Sequence, residues 1–216
     1  MNAPDQLRAA LKRAPIVPVL TVEDSCYAAT LAQALAAGGL TSIEITLRTP
    51  AALDSLKAMK AAAPELLVGA GTILTGSDVA MALEAGADFL VTPGVSVALA
   101  AALIDCDAPV IPGVATASEA MARYEDGFSL LKLFPASAAG GVPLLKSLQG
   151  PLPHIDFMPT GGVTAETASD YLALSNVTAV GGSWIASPRD MRARRWGEIE
   201  QRAADALSGL RPPASV

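Results

Sequence analysis

A single histidine, His154, and two cysteines, Cys26 and Cys106, are all that the sequence offers of the usual soft metal ligands. A zinc-dependent catalyst draws on several histidines, and a Ser–His–Asp triad needs its histidine at the reacting face. His154 lies in "GPLPHIDF", ahead of a strand candidate, and is expected in an ordinary loop. The cysteines are far apart in sequence and share no ligand spacing. They are expected as buried or half-buried free thiols, in keeping with a reducing compartment. Charged residues make up only 17% of the chain and hydrophobic residues 51%, the composition of a globular chain with a large interior rather than of a disordered one. No apolar run is long enough to span a bilayer. The opening stretch "MNAPDQLRAALKRAP" reads as an amphipathic helix without the apolar centre of a signal peptide. A cytoplasmic location is expected, and no membrane partner. The net charge is −6, with one basic cluster, "RDMRARRW" (189–196). That cluster reads as a solvated helix face, so nucleic acid is not an expected partner.

What is present is alternation. Eight runs rich in Val, Ile and Leu are separated by alanine-rich helical stretches: "IVPVLTV" (16–22), "SIEITLR" (42–48), "LLVGAGT" (66–72), "FLVTPG" (89–94), "PVIPGV" (109–114), "LLKLFP" (130–135), "DFMPTGG" (156–162) and "VTAVGGS" (177–183). Strand–helix alternation with short connections demands a parallel sheet. Eight units in 216 residues fit a (β/α)8 TIM barrel forming one domain, residues 1–216, with an extra helix at 3–13 across its bottom. A doubly wound open sheet would place a glycine-rich turn after the first strand, but "VEDSCY" follows it here. The glycines gather instead at later strand ends, where a barrel builds its active site.

Polar residues appear where a core should be. Strand side chains alternate between faces. In "SIEITLR" the apolar set Ile43, Ile45 and Leu47 belongs against the helices, which turns Glu44, Thr46 and Arg48 inward. In "LLKLFP" the same logic turns Lys132 and Phe134 inward. A lysine is seldom fully buried without a partner or a task. One reading is an internal ion-pair network, although such networks are not reliably stabilising. The other is chemical. A desolvated amine can attack a ketone and form a Schiff base, an electron sink for cleavage of the adjacent carbon–carbon bond. Glu44 is then the proton shuttle. Arg48 suits a substrate carboxylate, and Thr72 adds a hydroxyl at the rim. The pairs Gly161–Gly162 and Gly182–Ser183, closing the last two strands, fit a backbone phosphate site, with "SWIAS" after Gly182 as a short helix whose N-terminus supports it.

The motifs "IEITLRT" (43–49), "VGAGT" (68–72), "TPG" (92–94), "IPGV" (111–114), "KLFPA" (132–136), "PTGGV" (159–163) and "VGGSW" (180–184) occur in that order. Together they resemble the 2-dehydro-3-deoxy-6-phosphogluconate (KDPG) and 4-hydroxy-2-oxoglutarate (KHG) aldolase family over nearly the whole chain. The resemblance implies a class I, Schiff-base aldolase on a (β/α)8 barrel, commonly a homotrimer, with no cofactor and no metal. It implies a small phosphorylated keto-acid substrate, cleaved to pyruvate and glyceraldehyde 3-phosphate. By position it makes Lys132 the Schiff-base lysine and Glu44 the acid/base. Arg48 and Thr72 match the carboxylate contacts; Pro93, Phe134 and Thr160 line the pocket; Gly161, Gly162, Gly182 and Ser183 form the phosphate end. Ser137 and Ala139 depart from the acidic residue and asparagine frequent there. The alternatives are an aldolase for the galactonate epimer, which Thr160 disfavours, a phosphate-binding barrel isomerase, and a non-catalytic barrel serving as a binding module.

Overall fold

The structure is a computed structural model and describes residues 3–210; residues 1–2 and 211–216, part of the single-domain expectation, lie outside it. Helix α1 (Ala3–Arg13) leads into strand β1 (Ile16–Leu20). Strands and helices then alternate: α2 (Ala28–Ala37), β2 (Ser42–Thr46), α3 (Ala52–Ala62), β3 (Leu67–Gly71), α4 (Gly76–Glu84), β4 (Phe89–Val91) and α5 (Val97–Ile104). The fifth strand candidate appears as two segments, β5 (Val110–Ile111) and β6 (Gly113–Val114), on either side of Pro112. Proline has no N–H to give to a ladder, and the pairing changes partner at that point. After α6 (Ala117–Glu125) come β7 (Leu130–Leu133), α7 (Ala136–Ala139), α8 (Gly141–Gln149), β8 (Asp156–Phe157), α9 (Ala168–Leu172), β9 (Val180–Gly182), α10 (Pro188–Arg192) and α11 (Trp196–Ser208).

All named strand pairs are parallel. One ladder runs β5-β4-β3-β2-β1-β9 and a second runs β6-β7-β8. Beyond β8, Thr160 bridges to Gly181, and the Gly181 amide donates to the Pro159 carbonyl at 2.9 Å. The molecule is thus an α/β fold on a curled parallel sheet.

Strand alternation sorts the core into two bodies. Ile43, Ile45, Leu131 and Leu133 join the large apolar cluster between sheet and helices. Val17, Phe89, Val91, Ile111, Leu130 and Met158 form a smaller cluster inside the curl, joined by Leu7 and Leu11 of α1. Helix α1 is held at the N-terminal ends of the strands. Arg8 donates to Asp156 at 2.6 Å and to Ser129 at 2.9 Å, and the Thr41 hydroxyl donates to the Ala10 carbonyl at 2.7 Å. The expected bottom helix is therefore present, and its leucines fill that end with hydrocarbon. Only the opposite end is left for chemistry. His154 is exposed in the turn before β8 and stacks on Tyr124, with ring centroids 6.4 Å apart. Cys106 is half-buried, but Cys26 is exposed rather than buried, because it sits in a single 3-10 turn capped by Asp24. Within the basic cluster, Arg192 pairs with Glu23 and Arg195 with Asp190.

Candidate active site

The inward row of β2 and that of β7 meet inside the curl. Glu44 is fully buried and Lys132 is 4% exposed. The Lys132 ammonium donates to Glu44 Oε1 at 3.0 Å and to Oε2 at 3.3 Å, across 88 residues of sequence. Lys132 Nζ also stands 5.3 Å from the centre of the Phe134 ring, two residues along the same strand face. The apolar cluster lies below the pair and the strand C-termini above it. Two charges out of water are costly unless well matched, and here each charge has its partner.

The carboxylate fits because of a neighbour to which the sequence reading gave no role. A Cβ on Gly71 would come within 2.1 Å of Glu44 Oε1. Only glycine at the end of β3 leaves room for the carboxylate. The motif "VGAGT" carried that signal, but the reason lies in β2–β3 register, in which Gly71 pairs with Thr46. Thr46, also buried, donates to the Leu20 carbonyl at 2.9 Å and lies 3.1 Å from the Thr21 hydroxyl, so its side chain is fixed.

Arg48 differs from expectation. Strand β2 ends at Thr46, and the Arg48 amide turns back to the Thr46 carbonyl at 2.8 Å. Inward alternation stops with the strand, so Arg48 is exposed on the rim and not inside. There its Nε donates to Thr72 Oγ1 at 3.0 Å. Thr72 has φ +61, a left-handed conformation that is unusual for a β-branched residue and is typically retained where function demands it. Arg48 and Thr72 are thereby brought together as a cation with a hydroxyl at the mouth above Glu44. Pro93 is half-buried at the end of β4. Its carbonyl carbon would lie 2.4 Å from a Cβ on Gly113, the residue that pairs with Lys132.

At the other side of the mouth, Thr160 is buried and its hydroxyl fills the space a Cβ on Gly181 would need, 2.2 Å away. Gly161 and Gly162 have φ +95 and +78, which glycine alone adopts at no cost. They let the chain pass against Phe134 and Ser137: a Cβ on Gly161 would lie 3.2 Å from the Phe134 ring, and one on Gly162 2.5 Å from Ser137 Cβ. Ser137, marked in the sequence only as a departure, therefore borders the glycine pair. The amides of Gly161, Gly162 and Ser183 have no hydrogen-bond acceptor among the described residues, and Ser183 is exposed. Residues 183–187 are not helical. The next helix begins only at Pro188, because Ser187 and Asp190 form a capping box there and proline favours the first helical position. The expected helix N-terminus at Ser183 is thus absent, and backbone amides of bent, non-helical chain stand in its place.

A lysine paired with a carboxylate, a rim cation with a hydroxyl, and free amides opposite can hold a keto acid by its carboxylate, attack its carbonyl and seat an anion at its far end. The family model for KDPG and KHG aldolase matches residues 7–202. The 2-dehydro-3-deoxy-phosphogluconate aldolase of Pseudomonas aeruginosa is 43% identical over 91% of this chain and 89% of its own length. Two solved structures superpose closely. The KDPG aldolase of Legionella pneumophila, with pyruvate captured at low pH as a covalent carbinolamine intermediate, has a TM-score of 0.89 at 38% identity, covering 93% of this chain and 97% of its own. The 2-keto-3-deoxy-6-phosphogluconate aldolase of Zymomonas mobilis with 3-phosphoglycerate has a TM-score of 0.87 at 38% identity, covering 99% of each. With the family model spanning nearly the whole described chain and relatives this similar over most of their length, the chain belongs to the KDPG and KHG aldolase family.

Proposed function

We propose that this chain is a class I aldolase that cleaves 2-dehydro-3-deoxy-6-phosphogluconate to pyruvate and D-glyceraldehyde 3-phosphate. It also accepts 4-hydroxy-2-oxoglutarate, giving pyruvate and glyoxylate. The observation that carries this is the buried Lys132–Glu44 pair below an Arg48–Thr72 rim. Glu44 takes a proton from the Lys132 ammonium, the freed amine attacks the C2 ketone to give a carbinolamine, and Glu44 returns the proton to the departing hydroxyl, which leaves as water to form an iminium. Glu44 takes the proton from the C4 hydroxyl. The C3–C4 electron pair moves into the iminium as the aldehyde leaves, forming an enamine. Glu44 returns a proton to C3, and water hydrolyses the new iminium to pyruvate and free Lys132. The covalent carbinolamine in the Legionella relative supports this order. Arg48 and Thr72 hold the carboxylate, with Pro93, Phe134 and Thr160 around the carbon chain and Gly161, Gly162, Gly182 and Ser183 at the phosphate. The lysine itself supplies the electron sink, so the cycle calls for no cofactor and no metal.

Pyruvate release from a panel of three substrates tests the reading. The gluconate-derived phosphate ester is expected to be the best substrate, the galactonate epimer and the unphosphorylated 4-hydroxy acid at least about tenfold poorer in kcat/KM. Preference for the galactonate epimer would reassign the substrate; no pyruvate from any of the three would sink the proposal.

The finer architecture we propose is a single-domain (β/α)8 barrel in which β5 and β6 count as one strand bent at Pro112. The bridge between Thr160 and Gly181 supports closure. No helix among the described residues is long and apolar enough to cross a membrane, and we place the protein in the cytoplasm.

A homotrimer completes the proposal. Helix α5, "VALAAALI", has no polar side chain on any face, whereas a surface helix normally keeps one polar face. Its outer side presents Val97, 93% exposed, and Ile104, and Met81 is exposed on α4, which packs against α5. A run of exposed apolar side chains of this kind marks an association surface. Light scattering is expected to give the mass of three chains, and Val97→Glu to give monomers. A monomeric parent protein would remove the trimer.

A further inference from the structure

The bent, non-helical segment after β9 carries Ser183 at the exposed mouth, yet it has no helix of its own to hold it. Its support comes from α11. Arg202 Nη1 donates to the Ile185 carbonyl at 2.7 Å and lies 3.4 Å from the Trp184 carbonyl. The same nitrogen reaches Asp190 Oδ2 at 3.1 Å, and Arg195 Nε donates to Asp190 Oδ1 at 3.1 Å. Asp190 is 6% exposed, and it also accepts from the Ser187 amide at 3.0 Å and the Ser187 hydroxyl at 2.7 Å. Burial alone would raise the pKa of Asp190, but hydrogen bonds from Ser187, Arg195 and Arg202 hold it far below the usual carboxylate range. Ile185 and Ala186 are buried in the core, and the side-chain hydrogen bonds that reach residues 184–190 from beyond them come from Arg202 and Arg195.

The far end of this clamp is the strand terminus itself. A Cβ on Gly182 would lie 1.6 Å from a ring carbon of Trp184, so the indole lies directly over Gly182. The near end is anchored on a packed helix. Ile199 and Ala203 of α11 are buried, and a Cβ on Gly38 at the end of α2 would meet Ala203 Cβ at 2.6 Å and the Glu200 carbonyl at 2.7 Å. The helix cannot slide toward α2 without collision, so Arg202 has a fixed origin. The carbonyls of the two residues after Ser183 are held in this way, and they limit how the chain can turn at the Ser183 amide.

We propose that Arg202 is a positioning residue for the anion-binding end of the site: through the Trp184 and Ile185 carbonyls and the indole over Gly182, it keeps the amide of Ser183 aimed at a phosphate monoester. This rests on the proposed aldolase reading for the substrate, but not for the anion. Arg202 touches no substrate atom. It acts by preorganising donors, where a displacement of about 1 Å at a binding group can cost on the order of a hundredfold.

The test compares two substrates and one ion. In Arg202→Met, which keeps most of the stem and removes the donors, KM for the phosphorylated keto acid is expected to rise about ten- to a hundredfold. The kcat/KM on 4-hydroxy-2-oxoglutarate should stay within about threefold, because that substrate has no phosphate to place. Arg202→Lys, with a single ammonium on a flexible stem in place of the planar fork, should fall between parent and Met variant in the same ratio, and it carries the test if the Met variant does not fold. Equal losses on both substrates, or no loss on either, overturn the role. Binding of inorganic phosphate by titration calorimetry is read separately on parent and variants, and the affinity is expected to fall by the same ratio. If the parent turns over no phosphorylated keto acid but binds phosphate in an Arg202-dependent way, the reaction is wrong and the positioning role stands. If the parent binds no phosphate, the positioning role is overturned.

Discussion

Lys132→Ala is expected to abolish the covalent pyruvate adduct and to lower turnover by about a thousandfold or more, the scale on which loss of a covalent catalyst is felt. In the parent protein, incubation with pyruvate and borohydride should add one reduced pyruvyl group to the peptide containing residue 132. The other lysines, Lys12, Lys57, Lys60 and Lys146, lie in helices outside the curl. Label on any of them, or no label, would remove Lys132 from the covalent role. The substitution also strands Glu44, whose side chain is 1% exposed. An unpaired buried charge costs about 3–5 kcal/mol, so loss of activity alone could reflect a loosened fold. Lys132→Arg separates the two effects. It retains a cation against Glu44 but has no amine able to form an imine. A folded Arg variant with no adduct and no turnover is the expected result, and an active one would refute the Schiff base at this position.

Glu44→Gln is expected to slow exchange of solvent deuterium into the pyruvate methyl group by about a hundredfold or more, the usual scale for a positioned acid/base. The amide keeps the shape that Gly71 makes room for and can still accept from the lysine, but it cannot carry the proton. Adduct formation at Lys132 should remain detectable while exchange falls. A Gln variant that exchanges at the parent rate would reduce Glu44 to a counterion. A variant that loses adduct and exchange equally would place its role before the enamine, in carbinolamine formation.

The pattern of inward polar residues is legible in the sequence alone. Period-two alternation alone put Glu44 and Lys132 on the face away from the helices, and the structure bears this out because both strands run straight through those positions in register. The same rule failed for Arg48. Alternation has force only while the ladder lasts, and the ladder stops at Thr46. Similarly, "SWIAS" has nothing in its composition that forbids a helix. What stops one is the Ser187–Asp190 box and Pro188 downstream, together with an arginine at residue 202 that binds the carbonyls a helix would have used internally.

The amino-acid sequence by itself determined the layer order, the helix at the N-terminal pole, and which residue types would meet in the interior, because these follow from local periodicity and from the cost of burying charge. Tertiary structure alone decided the distances. Pairing of Lys132 with Glu44 across 88 residues, the vacancy at Gly71 that admits the carboxylate, the left-handed Thr72 held by Arg48, and the reach of Arg202 to the loop after β9 all depend on strand register and helix docking. No short stretch of sequence encodes these contacts, since each needs two segments that become neighbours only when the sheet curls.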